Sequence, residues 1–159
     1  MSSRSDESNH EPPAGAFRFT HPVDVRFRDL DLGGHVHHTQ AFVYFEEARG
    51  AYWRDVTGRS DPGEIDFILA EASVRYHRRI LYPQCLQVGV RIAVLAKKYF
   101  VMEYAVRSEE GERLVTGSTT LFMYDYSEGR TVAVPEEVRS RIEAREGGPL
   151  PSRRDGGVR

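Results

Sequence analysis

The sequence lacks the features that mark secreted and membrane-spanning chains. Cys85 is the only cysteine among 159 residues, so no disulfide can form within the chain, and a reducing compartment fits. The longest apolar run near the middle, Ile92 to Ala96, is far shorter than the roughly 18 residues that a membrane helix requires. The N-terminus is polar and has no apolar core, unlike a secretory signal. We therefore expect a soluble, cytoplasmic protein with no membrane partner.

The sequence also lacks an excess of charge of either sign. Lysine and arginine number 22 against 24 aspartates and glutamates, which gives a formal net charge of −2. This balance creates no strong positive field to attract nucleic acid, so we expect no nucleic-acid partner. With 40% hydrophobic and 29% charged residues, the chain suits one globular domain.

Both ends of the chain are poor in apolar residues. Residues 1–16 are rich in Ser, Asp, Glu, Pro and Gly, and residues 148–159 in Gly, Pro and Arg. Segments of this composition cannot bury enough apolar surface to offset the entropy of ordering, so we predict two disordered tails. The folded domain is then expected at residues 17–147.

The region between these tails begins with a long helical pattern. One stripe of apolar residues recurs at steps of four, three, four and four: Ala41, Phe45, Ala48, Tyr52 and Val56. We expect the helix to start near His38 or Thr39 and to end at Gly58, which suits a C-cap.

Period-two patterns predict strands on both sides of this helix. They cover Val23 to Phe27, Asp66 to Tyr76, Leu86 to Val94, Phe100 to Val106 and Leu114 to Tyr124. Pro135 precedes a short C-terminal helix, predicted from Glu136 to Arg145. A strand, a long helix and four or more antiparallel strands give an α+β domain with the helix packed on one sheet.

An acidic, glycine-containing turn joins the first strand to the long helix. It covers residues 29–34, and His35, His37 and His38 follow it. Backbone N–H groups at a helix N-terminus point outward and stabilise negative charge. Carboxylates and imidazoles at this junction therefore indicate a chemical site.

Two segments at this junction carry a family resemblance. Residues 31–38 (Asp-Leu-Gly-Gly-His-Val-His-His) and residues 44–49 (Tyr-Phe-Glu-Glu-Ala-Arg) resemble the hotdog-fold acyl-CoA thioesterases of the 4-hydroxybenzoyl-CoA thioesterase type. The similarity continues through residues 72–76, 82–83, 116–118 and 134–137, and covers nearly all of the expected domain.

The resemblance implies a fold, an assembly and a substrate. In the hotdog fold a curved antiparallel sheet wraps a long central helix. Family members form homodimers or homotetramers whose sites lie at the dimer interface, which also removes an exposed sheet edge. The substrate is an acyl-CoA or acyl-carrier-protein thioester. No cofactor is implied, because coenzyme A is part of the substrate.

The resemblance also implies roles for the residues of the turn. Asp31 matches the catalytic carboxylate, which can act as nucleophile or as general base. The backbone N–H of His38 matches the donor that faces the thioester oxygen. Gly33 and Gly34 are expected to adopt positive φ or to allow a close approach of substrate, and His35 is assigned to substrate binding. Without the resemblance, the favoured interpretation is that Asp31 begins a turn or caps the helix.

Other charged residues allow competing interpretations. The three histidines do not share one helical face and no further Cys/His cluster exists, so we predict no metal site. Glu46 and Glu47 are reserve catalytic carboxylates, although an ion pair of Glu46 with Arg49 is the favoured interpretation.

Four basic residues are candidates for binding the phosphates of coenzyme A. They lie in the sheet region: Arg75, Arg78, Lys97 and Lys98. The alternative is that they are solvated strand ends. The resulting hypothesis is a thioesterase acting on acyl-CoA; an acyl-carrier-protein thioesterase and a non-catalytic acyl-CoA-binding module are its rivals.

Overall fold

The architecture, taken from a computed structural model that describes residues 16–59 and 61–153, combines one antiparallel sheet with two helices. The strands are β1 (Phe19–Asp24), β2 (Phe67–Tyr76), β3 (Cys85–Leu95), β4 (Tyr99–Ser108), β5 (Arg113–Asp125) and β6 (Arg130–Thr131), and the helices are α1 (Gln40–Thr57) and α2 (Glu136–Glu146). The order across the sheet is β1-β3-β4-β5-β2, and β6 pairs with β5. The predicted α+β class is confirmed. No helix within the described ranges is long and apolar enough to cross a membrane.

Helix α1 ends where the sequence predicted, and it packs on the sheet through stacked rings. Gly58 caps it with φ 74° and donates its N–H to the Arg54 carbonyl at 2.8 Å. Phe45 stacks on Tyr104 of β4 at a centroid distance of 4.4 Å. A Cβ on Gly117 of β5 would lie 2.5 Å from the Phe45 ring, so glycine is required beneath it. Every residue of the predicted apolar stripe is buried.

The first strand lies earlier in the chain than predicted. It covers Phe19–Asp24, and residues 27–29 form a short 3₁₀ turn instead of continuing the strand. The buried Asp29 carboxylate accepts hydrogen bonds from the Arg26 N–H at 2.9 Å and from the Tyr44 hydroxyl at 2.8 Å. These bonds turn the chain out of the sheet and leave Phe27 75% exposed. Asp29 therefore has a structural role in this turn.

The edge strand β2 is more exposed than the centre of the sheet. The central strands β3, β4 and β5 are largely buried, whereas β2 is exposed along almost its whole length. Ile68 and Leu69 on β2 are 39% and 50% exposed. In the described part of the chain β2 pairs only with β5, so its other edge presents unpaired backbone groups.

The packed region extends past the C-terminal boundary that we predicted at residue 147. Leu150 packs against the hydrophobic core, and the Pro151 carbonyl accepts a hydrogen bond from the Leu95 N–H at 2.9 Å. Residues 150 and 151 thus contact the domain, through an apolar side chain and a backbone carbonyl. Residues 1–15 of the predicted N-terminal tail and residues 154–159 lie outside the described residues.

Candidate active site

A cleft of about 390 Å³ lies where the N-terminus of α1 approaches the end of β2. Its walls come from Asp31, residues 35–38, Ala41 and residues 76–80. Three of the residues singled out in the turn, Asp31, His35 and His38, therefore share one space with Arg78. Gly33 and Gly34 lie beside this space and do not line it.

Backbone hydrogen bonds fix the loop that carries Asp31. The Asp31 N–H donates to the His35 carbonyl at 2.9 Å, and the Gly34 N–H donates to the Asp31 carbonyl at 3.1 Å. The Val36 N–H donates to the Ile80 carbonyl at 2.9 Å, which ties the loop to the segment after β2. The loop is therefore attached to the segment after β2, and both Val36 and Ile80 line the cleft.

The two glycines of this loop serve different purposes. Gly34 has φ +79°, a conformation that L side chains rarely adopt. Gly33 instead has crowded surroundings, because a Cβ there would lie 3.1 Å from Asp31 Oδ1 and 3.2 Å from His35 Nε2. Gly33 thus lets the Asp31 carboxylate fold back onto its own loop.

The Asp31 carboxylate combines a turn contact with access to the cleft. Oδ1 accepts a hydrogen bond from the Gly33 N–H at 2.7 Å. Oδ2 lies 3.7 Å from His35 Nδ1, and the side chain is 26% exposed. The local turn role and a chemical role are therefore compatible, since only Oδ1 holds the turn and the residue lines the cleft.

His38 lies at the entrance of α1, one residue before the cap Thr39. Its carbonyl accepts a hydrogen bond from the Tyr76 hydroxyl. Among the described residues, none accepts a hydrogen bond from the His38 N–H. The His38 ring lies against that of His37 at 4.2 Å. The backbone of His38 is thus held from β2 while its donor remains available.

Tyr76 and His77 line the cleft, although sequence analysis did not single them out. Partial burial raises the pKa of Tyr76, so its hydroxyl stays protonated and donates at neutral pH. Burial, and secondarily Arg75, lowers the pKa of His77. The His77 Nε2 pairs with the Thr116 hydroxyl at 2.8 Å. Tyr76 lies at the end of a predicted strand and in the segment 72–76 that carries the family resemblance, and His77 directly follows it.

The four predicted phosphate-binding residues do not come together within the chain. Arg78 lines the cleft, whereas Arg75 lies on β2 outside its lining. Lys97 and Lys98 form the turn between β3 and β4, next to Tyr99.

The register of the sheet shows how far that turn lies from the cleft. Tyr99 is opposite Phe122, which is opposite Ile68 at the far end of β2. Tyr76 is at the other end of this ten-residue strand, a separation on the order of 25 Å. Lys97 and Lys98 therefore face the opposite end of the sheet from the cleft.

The remaining candidates occupy other surroundings. Glu47 lies 3.5 Å from both His21 and Arg26, and Glu46 is exposed. No ion pair joins Glu46 to Arg49 in the described ranges, because Arg49 is buried and donates to the Tyr104 hydroxyl at 3.3 Å. Over residues 16–59 and 61–153, no three His, Cys, Asp or Glu side chains form a group that could hold a metal ion.

Comparison with known proteins finds one matching family model and several similar proteins. Residues 25–142 match the family model of the thioesterase-like superfamily. A thioesterase of Thermus thermophilus, solved in complex with coenzyme A and Zn, is 36% identical with a TM-score of 0.78, over 86% of this chain and 100% of that one. The PA5185 protein of Pseudomonas aeruginosa strain PAO1 is 25% identical with a TM-score of 0.73, over 82% and 92% of the two chains. The uncharacterized protein YsmA of Bacillus subtilis (strain 168) is 24% identical over 127 residues, which are 80% of this chain and 86% of that protein.

Proposed function

We propose that this chain, which belongs to the thioesterase-like superfamily and has its hotdog fold, hydrolyses an acyl-CoA thioester to a free acid and coenzyme A. In this proposal α1 is the central helix of the fold, around which the sheet curves. The reaction needs no cofactor, and the single cysteine supports a cytoplasmic location.

The observation that carries the proposal is the shared cleft of Asp31 and the entrance of α1. Thioester hydrolysis needs a base or nucleophile near the carbonyl carbon and a donor near the carbonyl oxygen. Asp31 supplies a carboxylate oxygen, and the His38 N–H supplies the donor. The helix dipole of α1 adds to the stabilisation of negative charge at this point.

Asp31 can act in either of two ways. As a general base, it takes a proton from water while the water oxygen bonds to the carbonyl carbon. The tetrahedral intermediate then expels the thiolate of coenzyme A, which takes up a proton. As a nucleophile, Asp31 displaces the thiolate to form a mixed anhydride, which water then cleaves. In both routes the carbonyl oxygen becomes negative, and the His38 N–H stabilises it.

Two observations support coenzyme A as the carrier of the acyl group. The Thermus relative is solved with coenzyme A, and arginine side chains lie at the mouth of the cleft on this chain. Arg78 lines the cleft just after the end of β2, and Arg75 lies on β2 near that end, where both can attract phosphate. Gly33, Gly34 and His35 shape the loop next to the reacting carbonyl.

Assembly into a homodimer or homotetramer is part of the proposal. The edge of β2 is exposed, and Tyr76 at its end contributes to the cleft. A second copy that pairs along this edge would satisfy its backbone groups and close one side of the cleft. It would also bring charges of the partner copy near the substrate, and Lys97 and Lys98 are candidates for this contribution.

A panel of thioesters tests the proposed function. Acyl-CoAs of different chain length and aromatic character, and matching acyl-carrier-protein thioesters, are incubated with the protein, and released thiol is measured with a colour reagent. We expect turnover of at least one acyl-CoA above the rate in buffer. A preference for carrier-protein thioesters would favour an acyl-carrier-protein thioesterase. Tight binding of acyl-CoA without thiol release would favour a non-catalytic acyl-CoA-binding module.

A further inference from the structure

An imidazole ring lies beside the Asp31 carboxylate in the cleft. His35 Nδ1 is 3.7 Å from Asp31 Oδ2 and 3.5 Å from the Val36 carbonyl oxygen. Both of these oxygens accept hydrogen bonds, so the proton of a neutral His35 ring belongs on Nδ1. When Nε2 is protonated as well, the ring becomes a cation and forms an ion pair with the carboxylate.

The loop leaves the other nitrogen of this ring open. Among the described residues, none is hydrogen-bonded to His35 Nε2. A Cβ at Gly33 would lie 3.2 Å from this nitrogen and 3.1 Å from Asp31 Oδ1, so a larger residue there would crowd both side chains. The Asp31 N–H donates to the His35 carbonyl at 2.9 Å, which holds the two residues on one short turn. The His35 side chain is 38% exposed, so its ring can exchange protons with water.

Two other titratable side chains of the cleft are poorly suited to give up a proton. Tyr76 uses its hydroxyl proton to bond to the His38 carbonyl, and burial raises its pKa. Burial, and secondarily Arg75, lowers the pKa of His77, so this ring is neutral at pH 7. The same ring is engaged through Nε2 with the Thr116 hydroxyl at 2.8 Å.

The remaining histidines of the cleft have no carboxylate beside them. His37 Nδ1 accepts the Thr39 N–H at 3.2 Å and lies 2.8 Å from the Thr39 hydroxyl, so it serves the start of α1. The ring of His38 lies against that of His37 at 4.2 Å. Arginine side chains do not give up their protons. Among the cleft-lining side chains that the structure describes, only His35 combines an imidazole with an adjacent carboxylate.

The carboxylate next to this ring changes its charge during thioester hydrolysis. In both proposed routes Asp31 loses its negative charge, either by taking a proton from water or by bonding to the carbonyl carbon. A carboxylate stabilises a neighbouring imidazolium, and neutralising the carboxylate therefore makes that imidazolium a stronger acid. The ring is then ready to donate as the C–S bond breaks and its electron pair moves to sulfur.

We propose that His35 is the general acid of the reaction and that its Nε2 delivers a proton to the departing thiolate. The inference rests on the proposed function and deepens it by naming the source of this proton. In the base route, Asp31 afterwards releases its proton to water and His35 takes one up. In the nucleophile route, the neutral His35 ring takes a proton from the water that cleaves the mixed anhydride, which restores both side chains.

Thioesters of different thiols test this assignment. The same acyl group is offered on coenzyme A, on pantetheine and on 4-nitrobenzenethiol, and thiol release is followed for the wild type and His35→Asn. Asparagine has an amide N–H near the place of Nδ1 and can hold Asp31, but it has no proton to transfer. The variant should lower kcat about 10²-fold for both alkyl thioesters, which is the scale of general acid catalysis. With the aromatic thioester kcat should stay within about threefold, because its stable thiolate leaves without a proton.

A matched histidine and a second variant support this comparison. His21 on β1 also lies beside a carboxylate, 3.5 Å from Glu47, but outside the cleft lining. His21→Gln should therefore match the wild type on all three substrates. Denaturation should give the same free energy of unfolding for His35→Asn and the wild type, because the ring is partly exposed. If His35→Asn unfolds early, His35→Gln takes its place in the same assay.

Three results would overturn the assignment. An equal loss of kcat on all three thioesters would make His35 a residue that only positions Asp31. A kcat equal to that of the wild type on the two alkyl thioesters would remove His35 from the reaction. Loss of wild-type turnover after dialysis against EDTA, with recovery on addition of zinc, would make the ring a metal ligand.

The wild type separates failure of this inference from failure of the proposed function. If it releases thiol from neither acyl-CoA nor acyl-pantetheine, the proposed hydrolysis is wrong and the inference falls with it. If it hydrolyses acyl-CoA but His35→Asn does not distinguish alkyl from aromatic thioesters, the function stands and His35 is not the acid.

Discussion

The two ends of α1 meet very different surroundings. Near its C-terminus, Trp53 stacks on Phe100 at 5.3 Å and meets Phe67 edge-on at 5.1 Å. Its first turn exposes Phe42 and Val43 and borders the cleft. Aromatic packing anchors the helix at one end, and hydrogen bonds of polar residues position it at the other.

This contrast separates stability from chemistry along a single element. A buried ring contributes on the order of 2–3 kcal/mol through the area it removes from water. The hydrogen bonds at the cleft each contribute about 1 kcal/mol net, but they fix donors and acceptors in space. Substitutions near Trp53 should therefore change the free energy of unfolding, and substitutions around Asp31 should change turnover.

The largest effect is expected from Trp53→Ala. Removal of this fully buried ring should lower the free energy of unfolding by about 3–5 kcal/mol, because a large cavity remains. Trp53→Phe is the matched control. The indole N–H is buried without an acceptor among the described residues, so phenylalanine loses little beyond volume. Chemical denaturation gives both values, and equal losses for the two variants would refute this account.

The next effect concerns Asp31→Asn, which should lower kcat by about 10² or more. The side-chain carbonyl of asparagine can still accept the Gly33 N–H, so the loop should keep its turn and its stability. Thiol release and denaturation are measured on the same preparation. A variant with near-normal kcat would remove Asp31 from the chemistry, and a variant that unfolds early would show that its role is mainly structural.

The contrast also explains which parts of the fold the sequence could predict. The extent of α1, its buried stripe and the cap at Gly58 depend on neighbours within a few turns, and those patterns were sufficient. The end of β1 was predicted too late because the buried Asp29 carboxylate bonds to Tyr44 on another element. The alternation of apolar and polar residues could not reveal this contact, because the contact joins residues that are distant in the chain.

The site was predictable where its residues are close in sequence and not where they are brought together by register. Asp31 and His38 belong to one loop, and the structure brings them to one cleft. Tyr76 reaches His38 from the end of β2, across 38 residues.

The proposed assembly predicts the next effect. Leu69→Lys on the exposed edge strand should weaken self-association at least about tenfold, because the lysine charge would be buried at the interface. Phe27→Lys is the control, since Phe27 is also exposed but lies in the turn after β1. Sedimentation should give at least twice 18.1 kDa for the wild type and the control. A fully active wild-type monomer at micromolar concentration would contradict the shared site.

A smaller effect is expected from Tyr76→Phe at the entrance of α1. Loss of the hydroxyl frees the His38 carbonyl, and kcat should fall about three- to tenfold with little change in KM. Tyr126→Phe is the matched control, because its hydroxyl donates to the Phe67 carbonyl at 2.9 Å away from the cleft. Steady-state kinetics on both variants decides the matter. Equal losses of kcat would mean that neither hydroxyl acts through the cleft.

The smallest effect concerns the pH dependence of stability at His77, which lines the cleft. Burial, and secondarily Arg75, lowers the pKa of His77 in the folded protein below the usual value of 6.5. As the pH falls through 6.5, the unfolded chain therefore binds a proton before the folded chain does, and the folded state loses stability. This contribution is fully present above pH 6.5 and declines below it.

His77→Gln keeps a side chain that can hydrogen-bond to the Thr116 hydroxyl but removes the titration. The difference in unfolding free energy between wild type and variant, measured in denaturant at pH 7.5 and pH 5, should then shift in favour of the variant at the lower pH. A difference that stays constant between the two pH values would show that protonation of His77 is not coupled to folding. The surroundings of the N-terminus of α1 would then differ from those of its aromatic C-terminus in hydrogen bonding alone.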